Sequence, residues 1–384
     1  MPSLRDIILV DNSQGRVDVR HLQALTPFTS ISVSKSSLTE QIPQLHPSDV
    51  VNIQFTSGTT SAPKAACLTH KSILNNGYST GNRMKLTARD IICCPPPLFH
   101  CFGSVLGYMA SATHGSSIVF PSEAFDPTAT LKAVQQERCT ALYGVPTMFI
   151  AELELIQSGQ VATSGFEYLR TGIAAGSSIP AELMRKLHKT LNLTELTICY
   201  GMTETSPVSA MTTTDDPIEK RINTVGRLLP HVEAKVVNLE DRSQILPNGQ
   251  RGELAVSGYL AMQGYWNDPA RTAEVLQADS KGQMWMHTGD EAMMDEDGYV
   301  AITGRIKDII IRGGENIHPL EVENCILAHP HVQEVAVVGV PDEKYGDVVA
   351  AFVTTREGEN VTREALRKWV AERLSAHLGW FSLQ

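Results

Sequence analysis

The sequence of 384 residues has no long hydrophobic run, few aromatic side chains and no excess of positive charge. No apolar stretch approaches the roughly 20 residues of a membrane-spanning helix, so we expect no transmembrane segment. The formal net charge of −10 argues against a nucleic-acid partner, because such proteins usually present a basic face. Hydrophobic content of 42% and charged content of 19% are ordinary for a globular protein, and the length allows two or three domains.

The seven cysteines lack the spacing of a disulfide framework. This distribution predicts reduced thiols in an intracellular compartment. The cytoplasm is the default expectation, and a peroxisomal or mitochondrial location stays open. The opening residues, MPSLRDIILVDNSQ, do not resemble a secretory signal, because their apolar run is short and follows an acidic residue.

Common nucleotide-binding and hydrolase motifs are also missing, namely the Walker Gly-Lys-Ser/Thr, the dinucleotide Gly-x-Gly-x-x-Gly and the Gly-x-Ser-x-Gly elbow. The sequence does contain the stretch QFTSGTTSAPKAACLTH at residues 54–70. Its small and hydroxyl-bearing residues allow N–H and O–H groups to point at an anion, and Lys64 adds a positive charge. Taken alone, the stretch fits a phosphate-binding loop and an ordinary surface loop equally well.

Apolar runs alternate with helical patterns from about residue 50 to 210, which predicts a largely parallel sheet with helices on its faces. Short strands separated by turns from about 230 to 305 predict a β-rich subdomain, with a hairpin turn at 295–298. The remaining pattern predicts a small α+β domain. The expected fold class is therefore α/β, with a large N-terminal domain of mainly parallel sheets, a β-rich subdomain and a small α+β C-terminal domain. The predicted strands and helices before 210 are DIICCPP (90–96), SSIVFP (116–121), PTATLKAVQQERC (127–139), TALYG (140–144), PAELMRKLHKTLN (180–192) and ELTICYG (195–201).

Three further segments place polar side chains at predicted strand ends, where ligands bind in parallel sheets. In YGMTETSP, Tyr200 could stack on a base and Glu204 could hold a hard cation. In WMHTGDEA, Asp290 could accept hydrogen bonds from ribose hydroxyls. Structural roles compete with these hypotheses: Tyr200 also fits a core aromatic, and Glu204 a carboxylate at a helix start.

The sequence resembles the adenylate-forming superfamily over about residues 50–375. That superfamily includes acyl-CoA synthetases, luciferases of the firefly type and adenylation domains of peptide synthetases. The resemblance is closest to medium-chain fatty-acid and related acyl-CoA synthetases. The segments that carry it are FTSGTTSAPKAACLTH, YGMTET, TGD, GRIKD and RGGENIHPLEVE, in the family's order and spacing.

The resemblance implies a set of nucleotide-binding residues. It places the β- and γ-phosphates of ATP on the 56–64 loop, adenine between the 174–176 segment and Tyr200, and ribose on Asp290. The residues that it implies for ATP or AMP are Thr56, Ser57, Gly58, Thr59, Thr60, Lys64, Ala174, Ala175, Gly176, Tyr200, Gly201, Thr203, Asp290 and Arg305.

The resemblance also implies catalytic and moving parts. Thr203 would contact the α-phosphate, Glu204 would bind Mg²⁺, and Lys64 would stabilise the charge that develops on the phosphates. His100 matches a residue at the mouth of the acyl pocket, although a histidine beside Phe99 and Phe102 also fits simple packing. Lys307 matches the hinge of a swinging C-terminal domain. Gly313 and Gly314 match the segment that approaches the pantetheine arm of CoA.

The function implied by the resemblance is ATP-dependent activation of a carboxylic acid to an acyl-adenylate and then to an acyl-CoA thioester, with secondary metabolism as one setting. ATP, Mg²⁺ and CoA are the implied cofactors, and the oligomeric state is not indicated. Two alternatives stay open: a catalytically impaired nucleotide- or CoA-binding remnant, and a peptide-synthetase-like adenylation module. No aspartate for a substrate amine lies near PLFHCFG, which disfavours an amino acid. An apolar pocket for a medium-chain or branched acid is suggested by Phe99, Phe102, Tyr108, Met109, Tyr143 and Met202.

Two departures from the family predict a chain that is incomplete at both ends. Only 53 residues precede Gln54, and the family's last loop, Pro-x-x-x-x-Gly-Lys, has no counterpart. We therefore expect an incomplete large domain over residues 1–306, with the β-rich subdomain at about 230–305. An incomplete C-terminal swinging domain without the catalytic-lysine loop is expected over 307–384. Adenylation by such a chain should be impaired.

Overall fold

The computed structural model describes residues 44–56, 63–176, 179–356 and 358–374, together with the backbone of three two-residue strands. The chain separates into two compact units, residues 1–46 and 47–384. In the first unit, β1 and β2 pair in parallel. The strands are β1 (Ile8–Leu9), β2 (Thr26–Pro27), β3 (Val50–Thr56), β4 (Lys64–Thr69), β5 (Ile91–Cys93), β6 (Ser117–Val119), β7 (Ala141–Gly144), β8 (Thr171–Ala174), β9 (Glu195–Gly201), β10 (Val208–Met211), β11 (Arg227–Leu228), β12 (Val232–Val237), β13 (Gly252–Gly258), β14 (Leu276–Ala278), β15 (Met284–Met294), β16 (Val300–Arg305), β17 (Ile310–Arg312), β18 (Glu315–Ile317), β19 (Val332–Asp342), β20 (Gly346–Thr355) and β21 (Ser382–Leu383).

The helices connect these strands mainly in the first half of the second unit. A π-helix covers Phe102–Met109, and short 3₁₀ turns cover Thr203–Thr205 and Ile306–Asp308. The α-helices are α1 (His70–Arg83), α2 (Ala110–His114), α3 (Pro127–Glu137), α4 (Pro146–Gln157), α5 (Ala181–Leu191), α6 (Ile218–Asn223), α7 (Pro269–Val275), α8 (Pro319–Leu327) and α9 (Arg363–Ala371).

A seven-stranded sheet in the order β11-β10-β9-β8-β7-β5-β6 forms the centre of the second unit. The strands from β6 to β9 are parallel, and β10 and β11 run antiparallel at one edge. All residues of β7 and β8 are buried, as expected for parallel strands covered on both faces. Because β8 and β9 run parallel, their carboxyl ends lie at the same edge of the sheet, and predicted nucleotide-binding residues lie at that edge.

Local sequence signals explain the helices that flank this sheet. The Asp126 carboxylate caps α3 by accepting from the Ala129 N–H, and Pro127 occupies the first turn, where its missing N–H costs nothing. Helix α5 buries Leu183, Met184 and Leu187, which share one face at helical spacing.

The structure differs from the sequence prediction around residues 90–110. The strand predicted at 90–96 ends at Cys93, because the prolines that follow cannot donate to a sheet ladder. The π-helix that continues into α2 was not predicted at all.

The second sheet is antiparallel, in the order β12-β13-β15-β14, with β16 paired to β15. The eleven-residue strand β15 carries Asp290 and pairs with β13 on one side and β16 on the other. The hairpin turn predicted at 295–298 is present, with the Gly298 N–H donating to the Asp295 carbonyl over 3.1 Å.

The third sheet has the order β18-β17-β20-β19, with β21 on β20, and helices α8 and α9 pack on it. Its core is made by aliphatic side chains such as Ile310, Val322 and Val370. The predicted boundary at residues 306 and 307 stays a prediction, since residues 47–384 form one compact unit.

Candidate active site

The hairpin of β3 and β4 holds the predicted phosphate loop. Thr56 and Lys64 form the last pair before the connecting loop, so the intervening residues join two antiparallel strands. Ser57, Gly58, Thr59 and Thr60 lie outside the described residues, and their predicted role stays a prediction. The hairpin thus fixes where the loop begins and ends.

Strand β4 is held on a second segment of chain at residues 263–266. The Cys67 N–H donates to the Gly264 carbonyl over 2.9 Å, and the Trp266 N–H donates to the Ala65 carbonyl over 2.8 Å. This pairing brings Tyr265 under Lys64, whose Nζ lies 5.1 Å from the centroid of the phenol ring. An ammonium at this distance is attracted by the ring face.

The same tyrosine contacts the predicted metal-binding carboxylate. The Tyr265 hydroxyl donates to Glu204 Oε1 over 2.6 Å, and both residues are only 6% exposed. The Glu204 carbonyl accepts from the Met262 N–H over 2.9 Å. Burial, and then the negative charge of Glu204, raise the pKa of Tyr265. The phenol therefore stays protonated and keeps its role as donor.

Thr203, which directly precedes Glu204, lies near His100. Cys101 links them, because its Sγ is 3.9 Å from Thr203 Oγ1 and 4.0 Å from His100 Nδ1. The Phe102 N–H donates to His100 Nδ1 over 3.0 Å, which leaves Nε2 to carry the proton of the neutral ring. Partial desolvation of the ring lowers the pKa of His100 and favours the neutral form.

A cavity of about 770 Å³ is lined by residues of the seven-stranded sheet, the second sheet and the third, and neither Lys64 nor Glu204 lines it. The Tyr200 hydroxyl donates to Asp290 Oδ2 over 2.6 Å, and Arg305 Nε lies 3.5 Å from Asp290 Oδ1. Burial raises the pKa of both Tyr200 and Asp290, and the neighbouring Asp290 charge adds to the effect on Tyr200. The predicted site residues that line the cavity are Gly176, Tyr200, Gly201, Asp290, Arg305 and Lys307.

A cluster of charged side chains around buried Glu253 contacts the backbone just before Asp290. Glu253 accepts from Arg242 Nε over 2.7 Å, from His287 Nδ1 over 3.0 Å and from the Gly289 N–H over 3.2 Å. Burial acts to raise the pKa of Glu253, but His287 and Arg242 outweigh it and lower the pKa overall. The charged cluster therefore fixes the backbone just before Asp290.

Gly201 is required by the close approach of another chain segment. A Cβ at this position would lie 1.8 Å from the Pro207 carbonyl oxygen. The turn after β9 can fold back against the strand only because residue 201 has no side chain. That fold places Thr203 and Glu204 next to β4.

Nine of the predicted site residues that the structure describes do not line this cavity, namely Thr56, Lys64, His100, Thr203 and Glu204 together with Ala174, Ala175, Gly313 and Gly314. Ala174 and Ala175 are buried at the end of β8, and only the adjacent Gly176 reaches the cavity. Gly313 and Gly314 form the turn between β17 and β18, where the Gly313 N–H donates to the Tyr345 carbonyl over 2.7 Å. Their predicted contact with CoA stays a prediction.

The predicted acyl-pocket side chains do not form one group. Tyr143 has no exposed surface and stacks on buried Phe102 with ring centroids 5.9 Å apart, so both belong to the core. Phe99 is 80% exposed and lines a separate cavity of about 380 Å³ with Gln54, Ile53, Phe55, Asn52 and Leu98. The prediction was wrong for Tyr143, because a fully buried aromatic cannot line a binding pocket.

The Glu204 environment fits a magnesium ion bound together with a nucleotide. Mg²⁺ is usually held by one or two carboxylates, phosphate oxygens and water rather than by a cage of protein ligands. Within the described ranges, no group of three or more His, Cys, Asp or Glu side chains could form such a cage. One oriented carboxylate near Lys64 agrees with the shared mode of binding.

Sequence reasoning did not identify Tyr265 or Glu253. Neither belongs to a local pattern that points to a site, and the stretch around Tyr265, GYWNDP, has only the composition of a turn. Their importance follows from contacts between segments that are 61 and 36 residues apart in the chain.

Comparison with known proteins assigns the family. The model described as "AMP-binding enzyme" matches residues 7–266, and the model described as "AMP-binding enzyme C-terminal domain" matches residues 321–379. The chain belongs to the AMP-binding enzyme family. The predicted membership in the adenylate-forming superfamily is therefore confirmed.

Curated relatives of this AMP-binding enzyme are named as ligases. It is 52% identical over 343 residues to acyl-CoA ligase sidI of Aspergillus fumigatus, covering 89% of this chain and 57% of the relative. It is 42% identical over 331 residues to the mitochondrial medium-chain acyl-CoA ligase ACSF2 of Mus musculus, covering 85% of this chain and 52% of the relative. The chain thus spans little more than half the length of these relatives.

Solved structures confirm the fold class. The ATP-bound crystal structure of MatB from Rhodopseudomonas palustris superimposes with a TM-score of 0.81 at 28% identity, covering 96% of this chain and 73% of MatB. The o-succinylbenzoate CoA synthetase MenE of Bacillus subtilis, in complex with an acyl-adenylate intermediate, gives a TM-score of 0.77 at 25% identity, covering 98% and 74%. None of the helices in the described part of this AMP-binding enzyme has the length and apolar character needed to cross a membrane.

Proposed function

We propose that this protein is an AMP-forming acyl-CoA ligase that activates a carboxylic acid with ATP and transfers the acyl group to CoA. The observation that carries the proposal is the contact of Tyr200 and Arg305 with the buried Asp290 carboxylate in a 770 Å³ cavity. A buried carboxylate at a strand end is suited to accept hydrogen bonds from the two hydroxyls of a ribose. Tyr200 beside it offers a ring face for a base.

The proposed reaction has two steps, formation of an acyl-adenylate and transfer of the acyl group to CoA. A carboxylate oxygen of the substrate attacks the α-phosphorus of ATP, which forms an acyl-adenylate and releases pyrophosphate. The CoA thiol then attacks the acyl carbonyl, which forms the thioester and releases AMP. Negative charge develops on the phosphate oxygens and the leaving group in the first step.

The chain's own residues supply the environment for that charge. We propose that Lys64, at the end of the phosphate loop, neutralises the leaving pyrophosphate and that Thr203 donates to the α-phosphate. Glu204 would hold Mg²⁺, which neutralises phosphate charge when bound. His100, neutral and next to Cys101, is proposed to stand at the entrance for the acid. The phosphate contacts of Thr56, Ser57, Gly58, Thr59 and Thr60, and the adenine contacts of Ala174, Ala175, Gly176 and Gly201, complete the proposal.

We further propose a fatty or related acid of medium length as the substrate. Two relatives named as medium-chain acyl-CoA ligase and acyl-CoA ligase support an acyl substrate. The apolar side chains around the smaller cavity, including Ile53, Phe55 and Phe99, favour an apolar chain over an amino acid. The name of the Aspergillus relative leaves the pathway open.

Domain movement belongs to the same proposal. Lys307 lies in the 3₁₀ turn between β16 and β17 and lines the cavity, as expected of a hinge whose rotation changes the cavity wall. Gly313 and Gly314 would approach CoA after such a rotation. An intracellular compartment is also proposed, supported by seven cysteines that are all free in the described structure.

The test is release of pyrophosphate and formation of acyl-CoA by the purified chain with ATP, Mg²⁺, CoA and a series of straight and branched acids. Acid-dependent formation of both products at any rate above the acid-free background is expected, so an impaired first step does not by itself count against the proposal. ATP binding without release would favour the impaired remnant, and release that depends on amino acids would favour the peptide-synthetase-like module. Absence of ATP binding would overturn the proposal.

A variant pair sharpens this test. Asp290→Asn removes a charged acceptor in the cavity and should weaken AMP binding by about 10- to 100-fold, the value of one or two charge-assisted hydrogen bonds. Asp279→Asn is the matched control, because Asp279 accepts from Trp285 Nε1 over 3.0 Å at the edge of the same sheet and does not line the cavity. Equal AMP affinity in both variants would contradict the assigned role of Asp290.

A further inference from the structure

Tyr265 joins three parts of the chain that the proposed reaction needs together. Its backbone segment pairs with β4, its ring lies under Lys64, and its hydroxyl reaches Glu204. The residue comes 201 positions after Lys64, so the fold itself creates the link.

The hydrogen bond to Glu204 constrains the direction of the carboxylate. Glu204 is 6% exposed, and a buried carboxylate without a partner is costly. Because Oε1 accepts a hydrogen bond from the phenol hydroxyl, rotation of the carboxylate group is restricted. Mutation of a residue that holds a metal-binding carboxylate in this way typically lowers metal affinity by about 10- to 100-fold.

The ring makes a second, separable contribution. Lys64 lies 5.1 Å from the ring centroid, at the point where β4 leaves the phosphate loop. A lysine has a flexible four-carbon stem, so an aromatic face beneath the ammonium limits the positions that it samples. The hydroxyl and the ring of one side chain therefore act on the carboxylate and on the cation respectively.

We propose that Tyr265 is the positioning residue that aligns Glu204 and Lys64 for the metal–nucleotide complex. The inference rests on the proposed function, since Mg²⁺ and ATP are the ligands concerned. It adds to that function a residue that contacts neither nucleotide nor acid and acts through two others. Its hydroxyl affects metal affinity through Glu204, and its ring limits the positions that the Lys64 ammonium samples.

The hydroxyl is tested by binding of Mn²⁺, as a spin-active replacement for Mg²⁺, to the purified full chain in excess over ATP, so that little unbound ATP competes for the ion. Free Mn²⁺ is followed by electron paramagnetic resonance, so the measurement does not depend on turnover. Tyr265→Phe should weaken Mn²⁺ binding by about 10- to 100-fold. In a Glu204→Gln background the same change should have no further effect, because the residue acts through that carboxylate. Equal Mn²⁺ affinity in the unmodified chain and Tyr265→Phe would overturn the inference.

The ring is tested with a second pair of variants. Tyr265→Phe keeps the ring and should leave ATP affinity at saturating Mn²⁺ within about twofold, whereas Tyr265→Leu should weaken it by about three- to tenfold, the value of one cation–π contact. Equal ATP affinities in these two variants would overturn this half of the inference.

Tyr299→Phe is the matched control for loss of a buried tyrosine hydroxyl. Tyr299 donates to Asp216 Oδ1 over 2.7 Å and is only 4% exposed, and it does not line the cavity. Its variant should unfold at lower temperature yet bind Mn²⁺ like the unmodified chain. Weakened Mn²⁺ binding in this control as well would show a general structural effect and overturn the inference. Absence of ATP binding in the unmodified chain would instead reject the proposed function.

Discussion

Glu152 on α4 is a buried carboxylic acid of a different kind from those in the candidate site. Its side chain has no exposed surface, and neither oxygen has a hydrogen-bond partner among the described residues. Burial raises the pKa of Glu152 well above the ordinary value, so the neutral acid is the form that the core accepts. Glu204 and Asp290, in contrast, each accept a hydrogen bond from a tyrosine.

Replacement of Glu152 should change how stability depends on pH. The folded-state pKa is raised above the unfolded value, so the protonated acid favours folding at low pH. This contribution is lost as pH rises from the unfolded pKa of about 4.3 towards the folded pKa, at up to ~1.4 kcal/mol per pH unit. In urea unfolding between pH 5 and 8, Glu152→Gln should remove this decrease of the unfolding free energy with rising pH. Glu137→Gln, at the exposed end of α3, should keep it, and an unchanged slope in Glu152→Gln would refute the prediction.

The residues that the sequence could predict are those whose neighbours in the chain carry the signal. Tyr200 and Asp290 each stand in a short segment at a strand end, and the structure brings them within hydrogen-bond distance. Tyr265 has no such signal, because its partners come from distant segments. A tyrosine in a turn is compatible with many environments, and only the pairing of β4 with residues 263–266 decides among them.

At the scale of elements, apolar runs predicted the strands of the central sheet well. Strands β7 and β9 were predicted, because they are short and largely buried and their flanking turns give clear limits, whereas β8 was not predicted. The π-helix at Phe102–Met109 was missed, because its apolar composition fits a strand, an α-helix or a π-helix alike. Its hydrogen-bond pattern depends on neighbours that one segment of sequence does not specify.

Close packing between α1 and the π-helix gives a prediction for Gly77. A Cβ there would lie 2.6 Å from Met109 Cβ and 2.9 Å from the Met109 carbonyl carbon. Glycine-to-alanine exchange gains up to ~1 kcal/mol in helix propensity, but overpacking against backbone costs about 1–3 kcal/mol. Gly77→Ala should therefore lower the unfolding temperature. Asn75→Ala, exposed on the same helix, is the control, and a rise in unfolding temperature for Gly77→Ala would contradict the packing argument.

At the scale of the whole molecule, the sequence predicted three groups of elements but not the cavity that they enclose. Tyr200 comes from the seven-stranded sheet, Asp290 and Arg305 from the second sheet, Val338 from the third, and Leu320 from α8, which packs on the third sheet. Local patterns determine each sheet separately. The position of the third sheet depends on side-chain contacts between elements, which periodicity does not encode.

One of these contacts is a buried pair between the second and third sheets. His318, just before α8, places Nδ1 3.3 Å from Glu291 Oε2 on β15, and their side chains are 9% and 5% exposed. Thr303 on β16 donates to the same carboxylate oxygen. Because Glu291 directly follows Asp290, the pair connects the third sheet to the strand that carries the proposed ribose ligand.

Loss of this pair should loosen the junction between the second and third sheets, where His318 meets Glu291, without unfolding either sheet. His318→Gln replaces the buried imidazole beside the Glu291 carboxylate, and loss of its packing and of this close contact should cost about 1–3 kcal/mol. Amide hydrogen exchange in β16 and the Ile306–Asp308 turn should accelerate by about 10- to 100-fold, because opening of the junction exposes both. His331→Gln is the control, since its 3.1 Å pair with Glu359 is exposed and contributes little. If exchange in these segments is the same in both variants, the His318–Glu291 pair does not hold the junction, and the other contacts of α8 with the second sheet do.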